Sequence, residues 1–263
     1  MRLLFIGDVF GAPGRQAVQE ILPRLRRDRQ IDVVVANGEN ASHGRGITQK
    51  TADILYQAGV DVITTGNHAF DIVEAFPYFE SETRLVRPAN YSKAAPGRGY
   101  VVLDVLGGVQ LAVINLIGRI HMEPVDCPFT KVDEILEDLR SQCDIIFVDM
   151  HAEATSEARA MGWHLDGKVA AVLGSHTHVP TADEEILPQG TAYITDVGMT
   201  GPYRSVIGMD LEPVLNKYRT GLRTKFQPAT EDIRFCGAMV EIEESTGKAT
   251  HIERVCETLG AAN

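Results

Sequence analysis

The feature that most constrains the fold is an alternation of short apolar runs with helical patterns in the first part of the chain. Continuous apolar runs are typical of strands buried on both faces, and such runs lie at 3–6, 32–36 and 60–64. Helical patterns follow them at 16–29, 48–58 and about 71–80. Alternation of strands and helices with short loops predicts parallel βαβ units.

The rest of the chain predicts further strands, some of them paired in hairpins. Segments 99–105 and 109–116 flank Gly107-Gly108, which is a hairpin signal. Helices are predicted at 130–142 and 154–161, and strands at 144–148, 169–173, 192–195, 206–210, 238–242 and 249–255, with a turn at 245–247. Segment 211–232 is expected to be an irregular surface excursion. Because the chain shows no linker, residues 1–263 are predicted to form a single domain.

Charge and composition narrow the class of protein. The net charge of −11 opposes stable binding of duplex nucleic acid, although a small phosphate substrate remains compatible with it. The four cysteines form no CxxC pair, which predicts buried, unpaired thiols in a reducing compartment. The first residues do not resemble a signal peptide, and no apolar run approaches the roughly 20 residues of a membrane span. We therefore expect a cytoplasmic protein without membrane contact.

Polar side chains that can bind metal or carry protons recur directly after five predicted strands. They are Asp8, Glu39, Asn40, Asn67, His68, His151, His176 and His178. Each has a structural alternative: a helix cap for Asp8, a turn for Asn67-His68, and a purely structural role for any single histidine. Ligands of open α/β sheets collect beyond the carboxyl ends of the strands, so five such positions predict one site at one edge. The remaining four histidines are expected to be structural.

The chemistry of these side chains indicates which metals they bind. Carboxylate, amide and imidazole ligands without a thiolate fit Mn²⁺, Fe²⁺ or Zn²⁺ better than Ca²⁺ or Mg²⁺ alone. Up to seven ligands are too many for one tetrahedral ion. They suit two ions about 3.5–4 Å apart that share a carboxylate, an arrangement that serves hydrolysis. His-x-His at 176–178 would place both rings on one face if the backbone were extended.

The order of these motifs resembles the calcineurin-like metallophosphoesterases. The matching blocks are Gly7-Asp8, Gly66-Asn67-His68, His151 and Gly174-Ser-His176-Thr-His178. Two blocks depart from the superfamily pattern, because the first reads Asp8-Val9-Phe10 without its histidine and the second reads Gly38-Glu39-Asn40. These departures, together with Asp196-Val-Gly-Met-Thr-Gly201, resemble the YmdB-like branch of bacterial phosphodiesterases over nearly the whole chain.

The resemblance implies a fold, a metal centre and an activity. The fold would be a four-layer α/β/β/α sandwich of two mixed sheets flanked by helices. The first ion would be held by Asp8, Glu39, Asn40 and His178, and the second by Glu39, Asn67, His151 and His176. Glu39 would bridge two divalent or trivalent ions, with Fe or Mn favoured and Zn an alternative. The expected reaction is hydrolysis of small phosphodiesters, 2′,3′-cyclic nucleotides in particular, by a metal-bound hydroxide, and related enzymes suggest a homo-oligomer.

His68 is expected to act as a general acid. It directly follows Asn67, so if the Asn67 amide faces a metal, the His68 ring points towards the substrate side. A protonated imidazole there can donate to the leaving oxygen. The alternative is a structural histidine that only orients the loop.

Other functions stay open at this stage. A phosphomonoesterase or nucleotidase could use the same metal centre, and a regulatory module could bind a nucleotide without turnover. A dinucleotide-binding oxidoreductase is disfavoured, since 7–14 lacks G-x-G-x-x-G after the first strand.

Overall fold

The computed structural model describes residues 1–105, 107–139, 142–143 and 145–260. Three parts of the predicted elements therefore lie outside the described residues: positions 140–141 of the helix predicted at 130–142, the first residue of the strand predicted at 144–148, and the last three residues of the predicted domain. No helix within the described ranges is both long enough and apolar enough to span a membrane.

Twelve strands and six α-helices make up the described chain. The strands are β1 (Arg2–Ile6), β2 (Val33–Asn37), β3 (Val62–Thr64), β4 (Tyr100–Val105), β5 (Val109–Ile117), β6 (Ile145–His151), β7 (Ala171–Ser175), β8 (Glu185–Ile186), β9 (Ala192–Ile194), β10 (Gly201–Pro202), β11 (Ile233–Glu243) and β12 (Lys248–Thr258). The helices are α1 (Gly11–Asp28), α2 (Gln49–Ala58), α3 (Phe76–Ser81), α4 (Pro128–Leu139), α5 (Thr155–Leu165) and α6 (Leu211–Thr220).

The strands form two mixed sheets of six strands each. The first has the order β10-β11-β1-β2-β3, with β12 paired to β11. Its β1, β2 and β3 are parallel, as the βαβ pattern predicts, whereas β11 runs antiparallel to β1. The second has the order β4-β5-β6-β7-β9-β8. Its β4 and β5 form the predicted hairpin, and β5, β6, β7 and β9 are parallel.

Three apolar clusters hold the layers together. One lies between the two sheets, where the rings of Phe5 and Phe147 approach to 5.2 Å between centroids. A second packs α1 and α2 against the first sheet, and a third packs α4 and α5 against the second sheet. Burying each phenylalanine in this way contributes about 1.5–3 kcal/mol. The layers thus run helix, sheet, sheet, helix, and the predicted α/β/β/α sandwich is confirmed.

The strand predicted at 206–210 is wrong, because this segment is a tight reversal. Val206 and Met209 exchange two backbone hydrogen bonds, of 2.8 and 3.0 Å, across two intervening residues. Those residues, Ile207 and Gly208, have φ of 45° and 100°. Two central residues with positive φ are typical of a type I′ turn.

Part of the segment predicted to be irregular is helical. Helix α6 occupies the first half of 211–232 and ends at Gly221, whose φ of 72° is left-handed. Glycine at this position terminates helices without steric cost. Pro213 lies in the first turn, where its missing N–H costs nothing. The residues taken as breakers are therefore helix boundary signals.

The helix predicted at about 71–80 is shorter and divided. A single 3₁₀ turn, Val73–Ala75, precedes α3. Pro77 lies at the start of α3, where proline fits, and it would break a continuous helix from residue 71 because it lacks an N–H donor.

Candidate metal centre

The carboxyl ends of five strands from both sheets meet at one place. Asp8 follows β1, Glu39 and Asn40 follow β2, Asn67 and His68 follow β3, His151 ends β6, and His176 and His178 follow β7. The expectation of one sheet edge was incomplete, since β1–β3 belong to the first sheet and β6 and β7 to the second. The site thus lies where the ends of two facing sheets adjoin.

Three of these residues converge on the Nε2 atom of His151, and the four together form a first group. Asn67 Oδ1 lies 3.0 Å from it, His176 Nδ1 3.0 Å and Glu39 Oε1 3.3 Å. The ligand atoms of Glu39, His151 and His176 all fall within 4.8 Å of one another. Glu39 Oε2 also accepts a 3.0 Å hydrogen bond from the His68 backbone N–H.

The other three residues form a second group beside the first. His178 Nε2 lies 3.2 Å from Asn40 Oδ1 and 3.9 Å from Asp8 Oδ1. Asp8 is completely buried, and its Oδ1 has no hydrogen-bond partner among the described residues. Its Oδ2 accepts a 3.1 Å hydrogen bond from the His176 backbone N–H, which links the two groups. A buried carboxylate oxygen without a donor is costly unless a cation compensates it.

The three histidine rings of the cluster are each held through one ring nitrogen that faces away from the cluster, called here the outer nitrogen. His151 Nδ1 lies 2.9 Å from Ser175 Oγ, and this hydroxyl donates to Asp149 at 2.7 Å, so it accepts from the His151 N–H. His176 Nε2 lies 3.0 Å from a Glu153 carboxylate oxygen, and His178 Nδ1 lies 2.9 Å from the Ile207 carbonyl oxygen. In neutral rings, each inner nitrogen then presents a lone pair to the cluster, as in metal-ligating histidines.

The charges show that the cluster attracts a cation. Burial lowers the pKa of His151, but the carboxylates of Glu39 and Asp8 outweigh burial and raise it to about 9. Burial raises the pKa of Glu39, but His151 outweighs it and lowers that pKa to about 2. Burial and the neighbouring His151 lower the pKa of His176 to about 4, so this ring is neutral. Without a metal, a proton on His151 balances the carboxylates, and a metal ion would replace that proton.

Gly66 allows the site residues to approach each other closely. A Cβ atom at this position would lie 2.2 Å from His151 Nε2 and 2.4 Å from Glu39 Oε2. Any side chain would therefore collide with His151 and Glu39, two members of the first group. The glycine that precedes Asn67-His68 is required by this close approach.

The two histidines after β7 do not have the extended backbone assumed from the sequence. His176 has φ of 108° and His178 has φ of 66°, both in the left-handed region. Their rings point to different groups, His176 towards His151 and His178 towards Asp8 and Asn40. Positive φ at two non-glycine residues costs of order 1–3 kcal/mol each and is a common feature of functional sites.

His68 lies beside the cluster and belongs to a different set of contacts. Its Nδ1 lies 2.9 Å from Asp71 Oδ2, an oxygen that also accepts from Arg45 Nε. Its Nε2 lies 3.3 Å from the Asn67 amide nitrogen. The ring lines a cavity of about 390 Å³ adjoining the cluster. Asn67 thus directs its Oδ1 to His151, while the His68 ring faces the cavity.

Two buried aspartates support the site, and neither was among the predicted site residues. Asp149 accepts hydrogen bonds from Thr64 Oγ1 at 2.5 Å, Ser175 Oγ at 2.7 Å and Asn37 Nδ2 at 3.2 Å. These donors belong to both sheets, so Asp149 joins the sheets at their carboxyl ends. Burial raises the pKa of Asp149 to about 7. The available signal was Asp149-x-His151, two polar residues on one face of an otherwise apolar strand.

Asp196 fixes the loop that carries the paired histidines. It accepts hydrogen bonds of 2.8 Å from both the backbone N–H and the hydroxyl of Thr177, and one of 2.7 Å from Gly198 N–H. Burial, with a smaller contribution from Asp8, raises the pKa of Asp196 to about 7. Thr177 lies between His176 and His178, so these bonds position both rings.

The cavity beside the cluster has one polar and one apolar wall. The polar wall consists of cluster residues and neighbours, including His68, His176, His178 and Glu153. The apolar wall consists of Phe10, Val206, Ile207, Met209, Val214, Tyr218 and Phe226. Most of these belong to α6 and its flanking segments, whose role the sequence could not assign. The Phe226 ring also has the Lys217 ammonium 5.1 Å from its centroid.

The residues present fit a metal centre. Seven side chains direct oxygen or imidazole acceptors inwards, one buried oxygen lacks a donor, and glycine keeps the ligand groups close. Two helix-flanked sheets with such a cluster at their carboxyl ends define a metallophosphoesterase-type protein.

Comparison with known proteins identifies the family. The family model described as YmdB-like protein matches residues 4–255, and the chain belongs to this family. A protein from Bacillus subtilis (strain 168) named 2′,3′-cyclic-nucleotide 2′-phosphodiesterase is 48% identical over 255 residues, covering 97% of this chain and 96% of that protein.

Two solved structures are similar over nearly their full length. A hypothetical protein from Thermus thermophilus superposes with a TM-score of 0.92 at 44% identity, covering 98% of this chain and 99% of that one. A protein from Mycoplasma pneumoniae, described as a novel phosphatase, superposes with a TM-score of 0.92 at 35% identity, covering 98% and 93%. The resemblance inferred from the motifs is thereby confirmed.

Proposed function

We propose that the protein is a metal-dependent phosphodiesterase that hydrolyses 2′,3′-cyclic nucleotides. The observation that carries the proposal is the cluster of inward-facing acceptors, with three histidines held by their outer nitrogens, beside a cavity of about 390 Å³. The name of the Bacillus subtilis relative, which is 48% identical, supports the substrate class. The phosphatase named among the similar structures supports phosphate-ester hydrolysis in general.

The cluster would hold two metal ions. Its two groups suggest Asp8, Asn40 and His178 on one ion and Asn67, His151 and His176 on the other. Glu39 would bridge them. Oxygen and imidazole donors favour Fe or Mn, with Zn as an alternative. Two bound ions would supply positive charge to hold the phosphate and to activate a water molecule for attack on phosphorus.

His68 would deliver the proton that the leaving oxygen needs. Opening a 2′,3′-cyclic phosphate at the P–O2′ bond leaves a ribose alkoxide, which departs poorly unless it is protonated. The Asp71 carboxylate would hold the Nδ1 side of the ring, so that Nε2–H could donate to O2′ from the cavity side.

The apolar wall would bind the base of the nucleotide. Phe226 and Tyr218 contribute aromatic surface to the lining of this cavity. Tyr218 is 78% exposed, which leaves its ring available for stacking. A base stacked on an aromatic side chain contributes about 1–3 kcal/mol of binding with little sequence preference. Stacking would explain why α6 and its flanks extend next to a site that acts on phosphate.

The test compares a cyclic nucleotide with the two matching monoesters. Metal-free protein reconstituted with Mn²⁺ is incubated with 2′,3′-cAMP, 2′-AMP or 3′-AMP, and products are separated by chromatography. We expect 3′-AMP to accumulate from the cyclic substrate and chelation to abolish the reaction. Faster release of inorganic phosphate from the monoesters would favour a phosphomonoesterase. Binding of the cyclic nucleotide without turnover would favour a regulatory module.

The assembly, the location and the single-domain organisation remain predictions. We propose that the protein is cytoplasmic and forms a homo-oligomer. The exposed apolar side chains of Leu211, Leu215 and Leu222 near α6 support the assembly. Light scattering across a range of concentrations tests the assembly, and a constant monomer mass would contradict it.

A further inference from the structure

Two of the four cysteines face each other on neighbouring strands. Cys236 of β11 and Cys256 of β12 are register partners, and their Sγ atoms lie 3.4 Å apart. Cys236 is buried and Cys256 is exposed. The prediction of buried thiols is therefore wrong for Cys256, which lies on a largely exposed strand, and for the half-buried Cys127.

The backbone geometry at this pair suits a covalent cross-link. Cys236 N–H donates to Thr200 Oγ1 at 3.0 Å, and its carbonyl accepts from Gly7 N–H at 3.0 Å. Both groups therefore point away from β12, which makes Cys236 and Cys256 a non-hydrogen-bonded pair. Such pairs bring Cα atoms to about 4.5 Å, within the 4.4–6.8 Å range of disulfides.

The two thiols differ in reactivity. The hydrogen bond from Cys236 S–H, assisted by the Arg234 guanidinium, lowers the pKa of Cys256 to about 6 although burial opposes this shift. The same interaction raises the pKa of Cys236, whose sulfur also accepts a 3.1 Å hydrogen bond from the Tyr203 hydroxyl. Since the thiolate is the nucleophile, the exposed Cys256 is the attacking group and Cys236 is the protonated thiol behind it.

We propose that Cys236 and Cys256 form a thiol–disulfide modification site that reacts with low-molecular-weight disulfides. The Cys256 thiolate attacks one sulfur of the small disulfide, which forms a mixed disulfide and releases one small thiolate. Cys236 then loses its proton and attacks Cys256 Sγ, which forms the Cys236–Cys256 bond and releases the second small thiolate. Two protein thiols are oxidised, and one small disulfide is reduced to two thiols.

The cross-link is tested on the folded wild-type protein with oxidised glutathione. Remaining thiols are alkylated, and the protein is digested with trypsin without reductant. Cleavage after Arg234, Lys248 and Arg254 places the two cysteines in peptides 235–248 and 255–263. We expect these peptides to be linked, with a mass about 2 Da below their sum, and dithiothreitol to separate them.

Single variants test the order of the steps. Cys236→Ser should retain glutathione on Cys256, because no second thiol displaces it. Cys256→Ser should leave the buried Cys236 unmodified, and Cys127→Ser, which lies outside the pair, should cross-link as the wild type does. Wild-type protein without the linked peptides would overturn the proposal, as would glutathione on Cys236 of Cys256→Ser at the rate seen on Cys256. The wild-type result decides the question even if a variant fails to fold.

Discussion

Replacing Gly66 by alanine tests whether the close approach of His151 and Glu39 is required for metal binding and turnover. The new Cβ would lie 2.2 Å from His151 Nε2, 2.3 Å from His151 Cδ2 and 2.4 Å from Glu39 Oε2, whereas ordinary contacts begin at 3.4 Å. One of the two side chains must therefore retreat by about 1 Å, a distance that costs on the order of 10²-fold when it misplaces reacting groups. Gly66 has no positive φ, so the substitution adds no backbone strain.

The assay measures metal content, thermal unfolding and turnover of 2′,3′-cAMP on the same preparations. We expect Gly66→Ala to fold, to bind less metal than the wild type, and to lose kcat/KM by about 10²-fold or more. Gly107→Ala is the control: apart from its chain neighbours, no described heavy atom lies within 4 Å of the new Cβ, and its φ is 69°, so the substitution adds backbone strain alone. The control should lose about 1–2 kcal/mol of stability and retain its metal. Full metal occupancy with near-normal kcat/KM in Gly66→Ala would refute the reasoning.

The remaining predictions concern the proton donor, the apolar wall and the network behind the site. His68→Ala should retain its metal and lose about 10²–10⁴-fold in turnover of 2′,3′-cAMP. It should lose much less in turnover of bis-p-nitrophenyl phosphate, because that leaving group needs little protonation. Equal losses on both substrates, or loss of metal, would contradict the general-acid role. Phe226→Ala should raise the KM for 2′,3′-cAMP about tenfold or more and leave the KM for ribose 2′,3′-cyclic phosphate unaffected. The control Leu222→Ala, at a 65% exposed position outside the cavity lining, should change neither KM. An unchanged KM for 2′,3′-cAMP in Phe226→Ala would exclude stacking. Asp149→Ala should lower the free energy of unfolding by about 3 kcal/mol or more in urea titrations, since three buried donors lose their acceptor; a loss below about 1 kcal/mol would show that the network is unimportant for stability.

The sequence predicted those elements that are determined by the residues within the element itself. Buried parallel strands must be apolar on both faces, so β1, β2, β6 and β7 are visible as apolar runs, and the polar residues that follow them mark the site. Helix α6 was also locally encoded, by Pro213 in its first turn and Gly221 at its end. The same two residues were misread as signs of irregular structure, since Pro and Gly break helices only in their interior.

Long-range pairing could not be predicted from periodicity. Nothing local indicates that β11 pairs antiparallel with β1, or that Cys236 lies opposite Cys256. The left-handed φ of His176 and His178 was also hidden, because this loop is held by hydrogen bonds from its backbone to acceptors distant in sequence, Asp8 and Asp196. Such strain is maintained by tertiary contacts and leaves no local pattern.

Metal stoichiometry tests the central claim most directly, namely that residues at the ends of both sheets form one two-metal centre bridged by Glu39. Elemental analysis after dialysis against Mn²⁺ compares the wild type with Glu39→Gln, which keeps the shape of the side chain and removes its charge. The account predicts about two ions per wild-type chain and weakened binding of both in the variant, with an unchanged thermal midpoint of the metal-free proteins. Two tightly bound ions in Glu39→Gln, or a wild-type protein that binds none, would contradict it.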